Sequence, residues 1–360
     1  MRIRVSACGN LFWADDRLVW DDYLEHRQLA LAGGNERILR WFVSWKELSS
    51  VAEMDPDPTT CTRLSSFAEQ LLARDILIEQ DSPRHRAEER LLVSWSPWGP
   101  SARAFHFSTR SHRSTPYVTA DRMSATLWEK IQNGATPPSR FKSYPGVPRF
   151  PLPVRSAANW EHRDLLDVLD RRRSVREFGD DPIELSTLGA LLDVVGKPIT
   201  RPERAGFVVT EEMFRTSPSG GGRHPTEIYV YARNVAGLTP GLYHYSAEEH
   251  GLEQLDRSAT DAELVAAAGD QEWLGKSGAL LIYTSMIERS QWKYPFSRAY
   301  RVLMMDVGHL SQTVYLAATA LGMSITFTAA LRDEIVEDLI QCDPTSEIVV
   351  GISALGTRQT

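Results

Sequence analysis

Cysteine is scarce in this chain. Cys8, Cys61 and Cys342 are scattered through 360 positions, with no Cys-x-x-Cys spacing. An odd, dispersed set argues against a disulfide framework and a zinc ligand set, and it fits a reducing cytoplasm. No run of about 18 apolar residues occurs, so no membrane-spanning helix is expected. The opening "MRIRVSACGNLFWADD" lacks the apolar stretch of a signal peptide. Positive charge is in deficit, with 40 Lys and Arg against 47 Asp and Glu, a net charge of −7 and a pI near 5.8. That leaves no electrostatic footprint for nucleic acid and favours solubility. Internal repeats are lacking as well.

Two phosphate-binding signatures are also missing. A P-loop needs a lysine after its glycines, and none follows Gly222. A dinucleotide fingerprint lies between a strand and a helix, whereas the glycines of "SPSGGGRHPTEIYVYARN" stand before an alternating, strand-like stretch. ATP or NAD(H) binding by those folds is therefore unsupported.

What is present divides into three parts. Residues 1–90 read as a small unit. Short strands are expected in "RIRVSA" and "RLVWDDYL", and helices in "NERILRWFVSW", "SWKELSSVAEM" and "TRLSSFAEQLLARDILIEQ", the last running into a strand. Three helices and a wing form a winged-helix-like layout, and with this charge a peptide suits it better than DNA. Residues 91–155 read as a linker and wrapping segment, with an alternating piece around Phe105–Phe107 and six prolines in "QNGATPPSRFKSYPGVPRFPLPVR". Residues 156–360 mix helices and strands without regular alternation, which indicates an α+β fold. Their long helix, "RAYRVLMMDVGHLSQTVYLAATALGM", is apolar on nearly all sides, as expected of a buried or subunit-interface helix.

Within this third part, "RRRSVREFGDD" sets Arg172, Ser174 and Arg176 on one face of an extended segment. Two guanidiniums and a hydroxyl suit a phosphate monoester by charge and forked hydrogen bonding. The competing reading is a solvated charge run paired with Asp180 and Asp181. The Ser-Gly run, taken alone, reads as a surface turn.

Taken together, "RRSVREF", "PSGGGRHPTEIYV", "GLYHYS" and "KYPFSRAYRVLMMDVGHLSQ" resemble the flavin-dependent nitroreductase superfamily. Within it they are most similar to the SagB-type or McbC-like dehydrogenases of peptide maturation. The resemblance spans roughly residues 95–358. It implies a homodimer with FMN at the subunit interface. Arg172, Ser174 and Arg176 would hold the phosphate, with Arg358 as a further ligand. Pro218, Ser219, Gly220 and Gly221 would pass beside the flavin ring from the partner subunit. Gln271 would meet the pyrimidine edge, and Thr328 and Ala329 would offer backbone N–H groups near N5. Lys293 and Tyr294 match a catalytic pair of these enzymes. Both residue types are ordinarily protonated at neutral pH, so either would need activation to take a proton.

The resemblance further implies oxidation of azolines to azoles, or formation of a Cα–Cβ double bond, in a ribosomally made peptide. Its partners would be the precursor peptide and a cyclodehydratase or other maturation enzyme. Residues 1–90 would bind a leader. An NAD(P)H-dependent reductase and a non-catalytic peptide-binding scaffold are the alternatives, the latter disfavoured by the intact Arg-Ser-Arg and Pro-Ser-Gly-Gly features. His309, with Asp306 and Thr313 at helical spacing, reads as a buried, satisfied histidine or a proton relay. His106 and His224 read as structural.

Overall fold

The computed structural model describes residues 1–31, 36–111, 115, 118–156, 160–162, 164–199 and 213–359. By internal contacts the chain divides into Met1–Tyr117 and Val118–Thr360.

The first unit begins with β1 (Arg2–Val5) and an antiparallel meander of β2 (Gly9–Ala14), β3 (Arg17–Asp22) and β4 (Arg27–Leu31). Then come α1 (Glu36–Trp41), β5 (Lys46–Glu47), α2 (Pro58–Leu72), β6 (Leu77–Glu79), α3 (Pro83–Trp95) and α4 (Gly99–Ser108). Strand β1 lies between β5 and β6 in a second small sheet. Asp57 caps α2 through the Thr59 and Thr60 N–H groups, with Pro58 at the position where a missing N–H costs nothing. Ile3, Ile38, Phe42, Val51 and Leu77 form its core.

Two expectations fail here. "SWKELSSVAEM" is not an α-helix but strand β5 followed by a 3₁₀ turn over Leu48–Glu53. No side chain caps that turn, and Lys46 and Glu47 pair with β1 instead. The alternation at Phe105–Phe107 is not a strand, because Pro100 at the first turn starts α4 there. The stretch read as connective therefore carries α4 and, in the second unit, α5 (Ala120–Gln132), capped by Thr119.

The second unit continues with β7 (Arg149–Pro151), α6 (Leu165–Arg171), α7 (Leu185–Val195), β8 (Thr226–Ala232), β9 (Gly241–Ser246), β10 (Gly251–Gln254) and α8 (Asp261–Ala267). It closes with β11 (Ala279–Met286), α9 (Ile287–Lys293), α10 (Ala299–Ala320), β12 (Ser324–Thr328), α11 (Asp333–Ile340) and β13 (Glu347–Gly356). Asn159 and Arg163, at the start of the helix expected around α6, lie outside the described residues.

Seven antiparallel strands order as β12-β13-β11-β8-β9-β10-β7. Successive side chains of a strand face opposite ways. Ile228, Val230 and Ala232 of β8 accordingly join one core with Leu188, Leu192, Val307, Leu310 and Val314 of α7 and α10. Tyr229 and Tyr231 join the other with Leu264 of α8 and Val336 and Ile340 of α11. The sheet is thus covered on both faces, which is why all seven residues of β8 are buried. Helix α10 is not buried on all sides: Tyr300, Met304, Met305, Gly308, His309 and Gln312 are exposed. Among the described residues no helix is long and apolar enough to cross a membrane.

Candidate active site

Residues 172–178 leave α6 extended and follow the outer edge of β12, where Val175 N–H donates to Ile325 C=O at 2.8 Å. Alternation then points Ser174 and its neighbours at i ± 2 the other way from Val175. Ser174 Oγ lies 2.9 Å from Tyr315 Oη, and the Arg172 guanidinium sits 5.3 Å from the Tyr315 ring centre. Arg176 lies over Trp273 at 5.9 Å. Among the described residues neither arginine has an acid within ion-pairing distance, and neither guanidinium donates a hydrogen bond. Asp180 and Asp181 do not neutralise them, which disfavours the solvated charge run. Stacked, charged and unsatisfied forks of this kind are suited to an oxyanion ligand.

At the end of the same strand, Gln271 Nε2 donates to Thr328 Oγ1 at 2.9 Å and to Ala268 C=O at 2.7 Å. Thr328 Oγ1 also accepts from Ala330 N–H at 3.1 Å, and Ala329 is exposed beside it. The edge of β12 thus gathers Ser174, Gln271, Thr328 and Ala329.

A second group forms at the glycine run. Ser219 Oγ donates to Asp306 Oδ2 at 2.6 Å and accepts from His224 N–H at 2.9 Å. Gly220 N–H donates to Asp306 Oδ1 at 3.1 Å, and Ser217 Oγ donates to Thr313 Oγ1 at 2.7 Å. Helix α10 therefore holds the loop by side chains at both Asp306 and Thr313. Gly221 has φ +64°, a conformation glycine adopts without strain. A Cβ there would lie 2.5 Å from Tyr294 Oη and 2.8 Å from Lys293 Cδ. Lys293 Nζ donates to Gly221 C=O at 3.2 Å. The Lys-Tyr pair, at the C-terminus of α9 and half-buried, thus lies directly on the side-chain-free loop.

The electrostatics support a fixed loop. Burial raises the Asp306 carboxyl above its usual range, against the hydrogen bonds from Ser219 and Gly220. His224 is pushed down to about 3 by burial and by the Arg215 charge. It is buried, and its φ of +43° marks a tight turn. Glu227 and His244, from the same sequence motifs, are not at the site. They lie within the sheet in a buried chain, Arg289–Glu227 at 2.6 Å, Glu227–His244 at 3.2 Å and His244–Glu253 at 2.9 Å. Burial works against the Glu227 carboxylate, but the His244 hydrogen bond and Arg289 hold its pKa at about 2.

One expected phosphate ligand is placed elsewhere. Arg358 pairs with Glu161 at 2.9 Å and lines a pocket with Arg173 and Glu177, the side of the extended segment opposite Ser174. His309 is exposed rather than buried; Thr313 Oγ1 donates to its carbonyl at 3.0 Å, not to its ring. His106 is partly covered, stacked on Trp95. Tyr315, Trp273 and the loop-holding role of Asp306 were not visible from the sequence motifs. Period-3.6 spacing marks Tyr315 only as one more core position.

The two groups lie on opposite sides of α10. Asp306 and Tyr315 are nine positions apart, two and a half turns, hence roughly 14 Å along the axis and facing away from each other.

Comparison with known proteins places this arrangement. Residues 169–357 match the Nitroreductase family. MJ1384 of Methanocaldococcus jannaschii, named as a nitroreductase, is 35% identical over 182 residues, 50% of this chain and 86% of that protein. The trifolitoxin-processing protein TfxB of Rhizobium leguminosarum bv. trifolii is 33% identical over 39% of this chain and 39% of its own length. The microcin B17-processing protein McbC of Escherichia coli is 29% identical over 36% of this chain and 49% of its own. The chain thus spans less than half of either processing protein. A nitroreductase structure from Anabaena variabilis shares the fold at TM-score 0.50 and 24% identity, over 69% of this chain and 50% of that one. With the family match covering more than half of its residues, the chain belongs to the nitroreductase family.

Proposed function

We propose that this chain is an FMN-dependent dehydrogenase of peptide maturation, which oxidises azolines to azoles or introduces a Cα–Cβ double bond. The observation that carries the reading is the pairing of unsatisfied Arg172 and Arg176 around Ser174 with a side-chain-free loop backed by Lys293 and Tyr294. The residues present fit FMN. Arg172, Ser174 and Arg176 would hold its phosphate, Gln271 and Thr328 its ring edge, and the backbone of Pro218–Gly221 a ring face. Bound FMN would supply a two-electron acceptor. The protein must then remove a proton from the substrate carbon, and Lys293 or Tyr294 would take it.

The geometry of α10 supports a homodimer. A ligand touching both groups needs a second chain, because the groups face away from each other in one. The exposed stripe of Tyr300, Met304 and Met305 is apolar, and Gly308 opens onto free space at its C-terminal end. An exposed mid-helix glycine costs about 1 kcal/mol against alanine, and close approach of another helix is a reason to keep it. The peptide substrate is supported by the TfxB and McbC matches, both named as processing proteins. A cyclodehydratase or other maturation enzyme would act beside it. In the first unit, β2 is an edge strand with Leu11, Phe12 and Trp13 exposed, which suits an added peptide strand.

An azoline-bearing peptide incubated with the protein tests this reading. A product lacking two hydrogens supports it, and an unchanged peptide in the presence of bound flavin rejects it. The MJ1384 match favours a second reading, an NAD(P)H-dependent reductase. Rapid NAD(P)H oxidation with a nitro compound or quinone, and no peptide turnover, would select that one.

A further inference from the structure

Tyr315 touches both Arg172 and Ser174, and its ring is fixed from behind. It is 9% exposed, packed in the core between α10 and the sheet. Its hydroxyl accepts from Phe327 N–H at 2.8 Å on the edge of β12. A phenol has one proton to give. The acceptor within reach among the described residues is Ser174 Oγ at 2.9 Å. Tyr315 therefore donates to Ser174. Ser174 is exposed, and with one lone pair engaged from below, its own proton is free to turn outward. A hydroxyl that already accepts a bond is polarised to donate more strongly. The Arg172 guanidinium lies over the same ring, 5.3 Å from its centre, a cation–π contact that leaves its N–H groups unconsumed.

We propose that Tyr315 is a positioning residue for phosphate recognition, aiming the Ser174 proton and the Arg172 fork at the same oxyanion. The inference rests on the FMN reading above. It adds that the ring of a core helix residue, and not the extended segment alone, sets the donor geometry. Its chemical consequence is selectivity for a phosphorylated ligand over its dephosphorylated form. Riboflavin has the same ring system as FMN and no phosphate, so it separates this role from general packing.

The test is a binding titration of the full-length apoprotein with FMN and with riboflavin, followed by flavin fluorescence. In the unaltered chain FMN is expected to bind more tightly than riboflavin. Tyr315→Phe is expected to weaken FMN roughly 10- to 100-fold, the scale of one hydrogen bond to a charged group, and to leave riboflavin unchanged. Ser174→Ala, which keeps the Tyr315–Phe327 bond, is expected to give a similar FMN-specific loss. The double variant is expected to lose little more than either single one. Equal weakening of FMN and riboflavin by Tyr315→Phe would overturn the proposal, since it would mean a packing role only. Undiminished FMN binding would overturn it as well. If the unaltered chain binds FMN no better than riboflavin, the phosphate reading itself fails, and this proposal with it.

Discussion

The Ser219 hydroxyl and the Asp306 carboxylate lie 2.6 Å apart, and the same hydroxyl accepts the His224 N–H. One side chain thus fastens a glycine-rich loop both to α10 and to the residue that leads into β8. A loop with three consecutive glycines has a large conformational entropy to lose on ordering. Asp306→Ala removes the acceptor for Ser219 Oγ and Gly220 N–H together. Its expected cost is about 2–3 kcal/mol, with a smaller loss for Asp306→Asn. Urea unfolding of the three proteins measures this. Equal stability of Asp306→Ala and the unaltered chain would show that the loop is held by other contacts.

Gly221 and Gly237 make a controlled pair. Both have positive φ, at +64° and +81°, so alanine is strained at either. Only Gly221 would also drive its Cβ into Tyr294 and Lys293, since nothing lies within 4 Å at Gly237. Gly221→Ala is expected to reduce FMN affinity at least about tenfold, whereas Gly237→Ala costs about 1 kcal/mol of stability and no affinity. Flavin titration and thermal unfolding of both variants distinguish the two effects. Matching affinities would deny the loop its role beside the ring.

The catalytic assignment separates from binding. Lys293→Met and Tyr294→Phe each keep the bulk of the side chain. The variant that removes the proton acceptor is expected to lower kcat by about 10²–10⁴-fold with flavin content unchanged. Single-turnover reduction of the flavin by peptide is the measurement. Full activity in both variants would move the base elsewhere.

Acid sensitivity follows from His224. An unfolded histidine titrates near pH 6.5, whereas burial and then Arg215 push this one down to about 3. Between those values the unfolded chain binds the extra proton. Stability therefore falls as pH drops below about 6.5, by up to about 1.4 kcal/mol per unit for this group. Glu227, lowered from 4.5 to about 2, adds a loss in the same direction below about pH 4.5. Urea midpoints across pH 4.5–7 should fall more steeply for the unaltered chain than for His224→Asn. Parallel curves would mean that His224 is protonated in the native state.

The site was legible where its parts are contiguous. Arg172-x-Ser174-x-Arg176, Pro218–Gly221 and Lys293–Tyr294 are short contiguous motifs, and the roles proposed for them are readable from the residues themselves. That Lys293 and Tyr294 rest on Gly221 was not legible, because the contact joins α9 to a loop about 70 positions earlier through tertiary packing alone. Tyr315 was hidden for the opposite reason. Its ring satisfies the apolar period of α10, and only the sheet edge reveals that its hydroxyl is used. Arg358 shares the charge of the phosphate motif, but the extended segment separates its side from that of Ser174, and Glu161 takes it. In the fold, β8, β9 and β11 were plain from composition. The 3₁₀ turn at Leu48–Glu53 and helix α4 were not, because strand pairing by β5 and a proline at a helix start outweigh a few residues of apparent periodicity.

Arg172, Ser174 and Arg176 are the residues proposed to make this chain an FMN protein. The most direct measurement is the visible absorption spectrum of the purified protein, with the heat-released chromophore identified, for the unaltered chain and for an Arg172→Met, Arg176→Met variant. Flavin bands and one FMN per chain are expected in the first, and their loss on dialysis in the second. A colourless protein that takes up no added FMN, or a double variant that retains it fully, would contradict the account.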